Sequence, residues 1–220
     1  MLDGQTTIIA VRHGETEWNV EGRWQGHFNS PLTDKGKGQA EALAKRLKAA
    51  DFNHLYSSDL GRAVETAEPI AALKGMEIKF DQRLREKALG IFEGMTREEM
   101  NLNYPEEYDL YLENNPDYSA PEGESSRQRF NRNIAALDEI ALKHKGETVL
   151  IVIHGGVLDS IIRYVLNIPL DEPRRFSMKN ASISVCTCSN GDWRLETWGD
   201  VSHLSGFTED QGLVRGRMRK

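Results

Sequence analysis

The segment Val11-Arg12-His13-Gly14-Glu15-Thr16-Glu17-Trp18-Asn19 sets an arginine and a histidine directly behind the apolar run Ile8-Ile9-Ala10-Val11. Such a run reads as a buried strand, so Arg12 and His13 emerge at its carboxyl end, where open α/β sheets hold their ligands. A second apolar run, Val149-Leu150-Ile151-Val152-Ile153, closes in the same way on His154-Gly155-Gly156. Either histidine alone reads more simply as a satisfied core residue. Two of them at two strand ends, with arginines nearby, point to a site for phosphate. Phosphoryl transfer passes through a loose transition state with its charge spread over the equatorial oxygens, so catalysis is mostly positioning and electrostatic clamping. Arg12 and Arg62 can each offer a planar fork to those oxygens. His13 can attack phosphorus in line through one ring nitrogen, provided that a hydrogen bond, expected to a backbone carbonyl, fixes the other. His154 supplies a further donor. Gly155 leaves room for a backbone approach at the start of a helix whose positive end favours an anion.

The elements that must position these residues alternate between strand and helix. After the first strand, Thr33 caps a helix with Ala40, Leu43, Ala44 and Leu47 at helical spacing. Leu55-Tyr56 is a short strand, and Ser57-Ser58-Asp59 is expected to cap a helix whose inner face carries Ala63, Thr66, Ala67 and Ile70. Ile78-Lys79-Phe80 is another short strand, running into Leu84-Arg85-Glu86. Residues 96–118 read as short helices interrupted by Pro105 and Pro116. Ser125 to His144 is a long amphipathic helix with Ile134, Leu137 and Ile140 inside, and Val157 to Leu166 is another helix. Residues 182–188 and 193–198 form a hairpin across Asn190-Gly191. The pattern predicts one α/β domain, a three-layer αβα sandwich with a mostly parallel central sheet, over residues 1–205. Residues 206–220 have little apolar content and are expected to be a flexible tail.

Acidic side chains outnumber basic ones by 34 to 28, a net charge of -6, which argues against nucleic acid as a partner. No apolar run approaches membrane-spanning length, and nothing near Met1 resembles a signal-peptide core, so a cytoplasmic location without membrane attachment is expected. Cys186 and Cys188 are too few and too close for a disulfide framework and read as reduced, packed thiols.

The chain resembles the histidine phosphatase superfamily, which includes the cofactor-dependent phosphoglycerate mutases and many small bacterial phosphatases. The resemblance runs from Ile8 to Leu204. It is carried by Arg12-His13-Gly14-Glu15-Thr16 with Trp18-Asn19, Ser57-Ser58-Asp59-Leu60 with Arg62-Ala63 and Thr66-Ala67, Leu84-Arg85-Glu86 with Gly90 and Glu93-Gly94, and His154-Gly155-Gly156. Asn180-Ala181-Ser182-Ile183 and His203-Leu204 also match. The resemblance implies that His13 is the nucleophile, that Glu86 is the general acid and then the base for hydrolysis of phospho-His13, and that Asn19, Gln25 and Gly26 are secondary phosphate contacts. Nearby arginines would lower the Glu86 pKa, while burial and a bound dianion would raise it, so sequence leaves its direction open. Arg85 and Glu15 read as structural ion-pair residues. His27, His54, His144 and His203 lack paired contexts and read as solvated or structurally bonded.

Other chemistries fit less well. Cys188-Ser189-Asn190-Gly191-Asp192-Trp193-Arg194 has the cysteine-to-arginine spacing of thiolate phosphatases, but Asn190-Gly191 is a hairpin signal and Asp192 would put negative charge inside an anion loop. The histidines are scattered along the chain, so neither a metal site nor any other cofactor is expected. A mutase must also hold a substrate carboxylate, which needs extra cations over the pocket. Residues 98–126 contain no Lys or Arg and many acidic groups, while Tyr104, Tyr108, Tyr111 and Tyr118 suit a less charged leaving group. A solvated acidic surface with the tyrosines packed beneath it explains the same segment. Glu122 and Asp159 depart from the family pattern, Glu122 standing where glycine is common and Asp159 where arginine is common; both leave the substrate open. The expected activity is a metal-independent phosphomonoesterase acting on a small phosphate ester. Its alternatives are a cofactor-dependent phosphoglycerate mutase and a non-catalytic phosphate-binding relative. A homodimer is compatible with these features.

Overall fold

A computed structural model describes residues 4–207. Its sheet is six-stranded, in the order β3-β2-β4-β1-β5-β6. β1 (Thr6–Arg12), β4 (Thr148–Ile153), β2 (His54–Ser57) and β3 (Ile78–Phe80) run parallel to one another, and β5 (Ile183–Ser189) and β6 (Asp192–Asp200) add an antiparallel hairpin beside β1. The predominance of parallel pairing agrees with the sequence pattern.

The pleat sorts β4 between two cores. Val149, Ile151 and Ile153 point, with Ile8 and Ala10, toward Ile134, Leu137 and Ile140 of α6 (Ser126–Lys143) and Val157 and Ile161 of α7 (Gly155–Val165). Leu150 and Val152 point, with Val11 and Leu55, toward Leu43 and Leu47 of α2 (Asp34–Leu47) and Ala63, Ala67 and Ile70 of α3 (Gly61–Lys74). These are the three layers, each face covered by a helix pair as a parallel sheet requires.

A smaller cluster lies under the segment after β3. Beyond the short α1 (Glu17–Glu21) that follows β1, α4 (Arg97–Asn103) and α5 (Pro105–Leu112) flank a cluster of Leu89, Phe92, Met100 and Ala120. Trp24, Tyr108, Tyr111 and Tyr118 pack against it, so the tyrosines mainly fill a satellite core while the acidic groups stay outside or in ion pairs. No helix among the described residues is long and apolar enough to cross a membrane.

Several expectations need adjusting. Ser57-Ser58-Asp59 does not cap α3. Leu60 is the N-cap and makes no side-chain bond, while Asp59 pairs with Arg85. The seventh helix begins at Gly155 rather than Val157, directly on the end of β4. Glu86 does not end a strand, because a 3-10 turn over Gln82–Leu84 intervenes after β3. The final 3-10 segment, Ser202–Phe207, runs past the expected domain limit of 205, and Phe207 lies against Gly38 of α2. The remainder of the expected tail, 208–220, lies outside the described residues.

Candidate active site

Strand register builds the site. Arg12 lies beside Ile153 and Ser57 beside Val152, and the ladder continues one step past the strands, with His13 N–H donating to Ile153 O (2.9 Å) and Ser58 N–H to Val152 O (3.0 Å). His13, His154 and Ser58 therefore leave three neighbouring parallel strands at one level. The His13 and His154 ring centroids are 5.2 Å apart.

The loop carrying His13 is held from several sides. Gly14 N–H donates to Thr66 Oγ1 (3.0 Å), and Asn180 Nδ2 donates to the carbonyls of His13 and Gly14 (3.1 Å each). A Cβ on Gly14 would stand 2.6 Å from Gly36 O, so loop and α2 backbones touch only because both residues are glycine. His13 Nδ1–H donates to Gly14 O at 2.7 Å, the carbonyl partner expected from sequence, which leaves Nε2 as the nitrogen free to attack. Burial, then the charges of Arg62 and Arg12, hold the His13 pKa well below the ordinary histidine value. At neutral pH the ring is uncharged, as a nucleophilic imidazole must be.

The residues of the candidate phosphate clamp carry buried nitrogens without partners. Arg62 braces its Nη1 on Phe28 O and its Nη2 on Gly26 O, both at 2.8 Å, and Arg12 braces Nη1 on Met178 O. Each leaves a buried Nε without a partner. His154 Nε2 meets Ser58 Oγ at 2.8 Å. The hydroxyl also accepts from Leu60 N–H (3.3 Å), and His154 Nδ1 is buried without a partner, so the tautomer with its proton on Nδ1 offers a ligand one more donor. Burial, followed by Arg62, His13 and Arg12, keeps His154 neutral, and burial lowers the Arg12 and Arg62 pKa values to about 10, still well above neutrality. Buried donors without acceptors are costly, and a bound anion would satisfy them. Gly155 opens α7 against the Arg12 guanidinium, its side-chain direction 3.6 Å from Arg12 Nε and Cζ.

Glu86 reaches the same pocket from the other side. Its Oε2 accepts from Gly156 N–H and its Oε1 from Lys87 N–H, each at 2.8 Å. Burial raises its pKa, but Arg129, these two N–H groups and Arg62 outweigh burial, and the carboxyl titrates below its usual value. Gly156 is required here, since a Cβ would fall 2.0 Å from Glu86 Oε1 and 2.7 Å from Arg129 Nη1. Lys87, mainly desolvated, has its pKa lowered to about 8.

The secondary contacts divide. Asn19 Oδ1 accepts from Thr16 N–H and Asn180 Nδ2, leaving Nδ2 with no protein partner and available to a ligand. Gln25 instead donates to Thr16 Oγ1 (2.7 Å), and Gly26, at φ +52°, serves as the carbonyl support of Arg62. These two residues support the pocket wall. Arg85 and Glu15 form the expected ion pairs, with Asp59 and Lys35.

Sequence reading missed the pins of the Glu86 loop. Arg132 donates to the carbonyls of Arg83, Arg85 and Glu86 while paired with Glu124, and His27 Nε2–H donates to Glu86 O (2.9 Å). Arg129, which stands beside Glu86, is held by Asp159, and Asp159 also holds Arg163. The unusual Asp159 is thus an anchor for Arg129. Glu122 has φ +65°, the left-handed conformation that explains why glycine suits this position.

With this geometry in place, comparison with known proteins gives one consistent answer. Residues 8–201 match the family model of the histidine phosphatase superfamily, branch 1. The chain belongs to that superfamily. It is 42% identical over 213 residues to phosphoglycerate mutase-like protein 4 of Arabidopsis thaliana, covering 92% of this chain and 89% of that one. The solved structure of Bacillus stearothermophilus YhfR is similar with a TM-score of 0.83 and 39% identity, over 90% of this chain and 99% of that one. A mycobacterial glucosyl-3-phosphoglycerate phosphatase solved with VO3 gives 0.78 and 28%, over 88% and 98%. The His13, Arg12, Arg62, His154 and Glu86 constellation of this histidine phosphatase superfamily member lies wholly within the matched residues.

The rival thiolate loop is not formed. Cys188 and Arg194 lie on opposite arms of the β5-β6 hairpin, and burial raises the Cys188 pKa, so the thiol stays protonated. Cys188→Ser is expected to leave kcat/KM within about twofold of wild type in a phosphatase assay.

Proposed function

We propose that this protein is a metal-independent phosphomonoesterase that hydrolyses small phosphorylated metabolites through a phosphohistidine intermediate. The observation carrying the reading is the set of partnerless buried nitrogens, Arg12 Nε, Arg62 Nε and His154 Nδ1, around a neutral His13 whose Nε2 is unspent. His13 Nε2 attacks phosphorus, the ester P–O bond breaks, and the leaving oxygen takes a proton from Glu86. Water then attacks phospho-His13, Glu86 accepts its proton, the P–N bond breaks and phosphate departs. The charge that a metal would supply in other phosphatases comes here from Arg12 and Arg62, assisted by the amino end of α7. A cytoplasmic location and small-molecule partners accompany this proposal.

The hydrolytic outcome is favoured by the absence of cations from residues 98–126. Tyr111 of this segment packs on the satellite core within reach of the Arg129 and Arg174 charges. Desolvation raises its pKa to about 12, so its hydroxyl remains a neutral donor. A mutase is the second reading, favoured by Arg174, whose charge reaches Arg12 and Tyr111, and by Lys87, since these can hold a second anionic group. A screen of phosphorylated metabolites decides. The phosphatase reading expects phosphate release without a primer and without loss of activity in chelator. Isomerisation of a phosphoglycerate that requires a bisphosphoglycerate primer, with little free phosphate, would establish the mutase.

A further inference from the structure

At the opposite end of the sheet, the amino ends of β2 and β4 bring together His54, His144 and Glu147, residues with no part in phosphoryl chemistry. β4 alone separates the two ends by about 20 Å. Glu147 Oε2 lies 2.7 Å from His54 Nε2 and 3.1 Å from His144 Nδ1, and one ligand atom from each residue falls within 4.8 Å of the others. We propose that His54, His144 and Glu147 form a binding site for a divalent transition metal of the Zn2+ type, with water completing the coordination.

The backbone fixes all three residues without the ion. His144 and Glu147 flank a tight turn in which Glu147 N–H donates to His144 O (3.1 Å) and Gly146 takes φ +80°. Thr7 N–H donates to Glu147 O, and Thr6 Oγ1 donates to His144 O, tying the turn to β1. His54 starts β2 in register with Val149. Tetrahedral ligands at about 2.0–2.1 Å from Zn2+ stand about 3.3 Å apart, so small side-chain shifts suffice. Two imidazoles and one carboxylate are a fitting donor set, and imidazole selects Zn2+, Ni2+ or Cu2+ over Mg2+ or Ca2+.

In the absence of an ion, two ring lone pairs converge on one carboxylate oxygen, and protons must occupy both gaps. A divalent cation takes the place of both protons, each ring keeping its proton on the other nitrogen. His144 Nε2 lies 2.9 Å from the Tyr56 hydroxyl, an outer partner that accepts the ring proton and directs the Nδ1 lone pair to the metal. His144 is buried, whereas Glu147 and His54 are partly open, which leaves an entry path. One group opposes the ion: the exposed Lys79 places Nζ 3.4 Å from His54 Nδ1 and lies over the Tyr56 ring. Its removal should tighten binding.

The test is calorimetric titration of chelator-treated protein with Zn2+, in a His13→Ala background that disables the imidazole pair of the phosphoryl pocket, together with thermal unfolding. The expected result is one equivalent bound, a saturable rise in Tm, affinity weakened at least about tenfold by Glu147→Gln and by His54→Ala, and affinity tightened severalfold by Lys79→Met. In the wild-type background, Glu147→Gln should leave nitrophenyl phosphate turnover unchanged. Absence of saturable binding, or equal affinity with and without the Glu147 and His54 substitutions, would overturn the proposal.

Discussion

His13→Ala is expected to lower kcat by about five orders of magnitude while the folded protein still binds inorganic phosphate. The loss is large because, in the proposed mechanism, the substitution removes the attacking atom itself. Arg12, Arg62 and His154 remain, and their anion-seeking donors do not depend on the His13 ring: the Arg62 forks rest on Phe28 and Gly26, and His154 rests on Ser58. Phosphate binding by isothermal titration beside steady-state turnover separates the two effects. Loss of both together with an unchanged circular dichroism spectrum would mean that His13 is a binding residue and not the nucleophile.

Glu86→Gln is expected to change the shape of the pH profile as well as its height. In the free enzyme the Glu86 carboxyl titrates below its usual value and His13 is already neutral. The productive complex needs protonated Glu86 and a phosphate dianion, or the equivalent pair of Glu86 carboxylate and monoanion. Below the Glu86 pKa, the dianion is scarce and kcat/KM rises with pH. Between that pKa and the second phosphate pKa, about 6, loss of the enzyme proton and gain of the dianion cancel, giving a plateau. Above about 6 only the proton loss continues, and kcat/KM falls about tenfold per pH unit. Glutamine has no proton to lose, so the alkaline fall should vanish. With an alkyl phosphate, whose leaving oxygen needs protonation, the variant should lose about 10²–10⁴-fold, and much less with nitrophenyl phosphate. An alkaline limb that survives the substitution would assign the acid to another group.

The strand ends were the legible part of this site. Four consecutive apolar residues, Ile8 to Val11, leave little doubt where β1 stops, and the longer run in β4 does the same, so Arg12, His13 and His154 could be placed from local pattern alone. What escaped was set by pairing between distant segments. Arg132 acts through carbonyls at 83, 85 and 86, and no spacing rule links a helical arginine to a loop 46 to 49 residues earlier. Ser58 read as a helix cap because Ser-Ser-Asp before a helix usually is one, yet its hydroxyl is used to orient His154. Gln25 and Gly26 matched the family motif, but whether they face ligand or wall depends on where Thr16 and Arg62 end up. His54, His144 and Glu147 looked unrelated for the same reason: parallel strands bring together residues separated by a whole crossover.

The central claim is that the phosphoryl group rests covalently on His13. Rapid acid-free quench of enzyme turning over a 32P-labelled ester, followed by peptide mapping, tests it most directly. The account predicts label that is stable in base and lost in acid, located on the peptide containing His13, formed within the first turnover and absent from His13→Ala. Turnover without any such label in a trapped Glu86→Gln enzyme, or label on another residue, would contradict it.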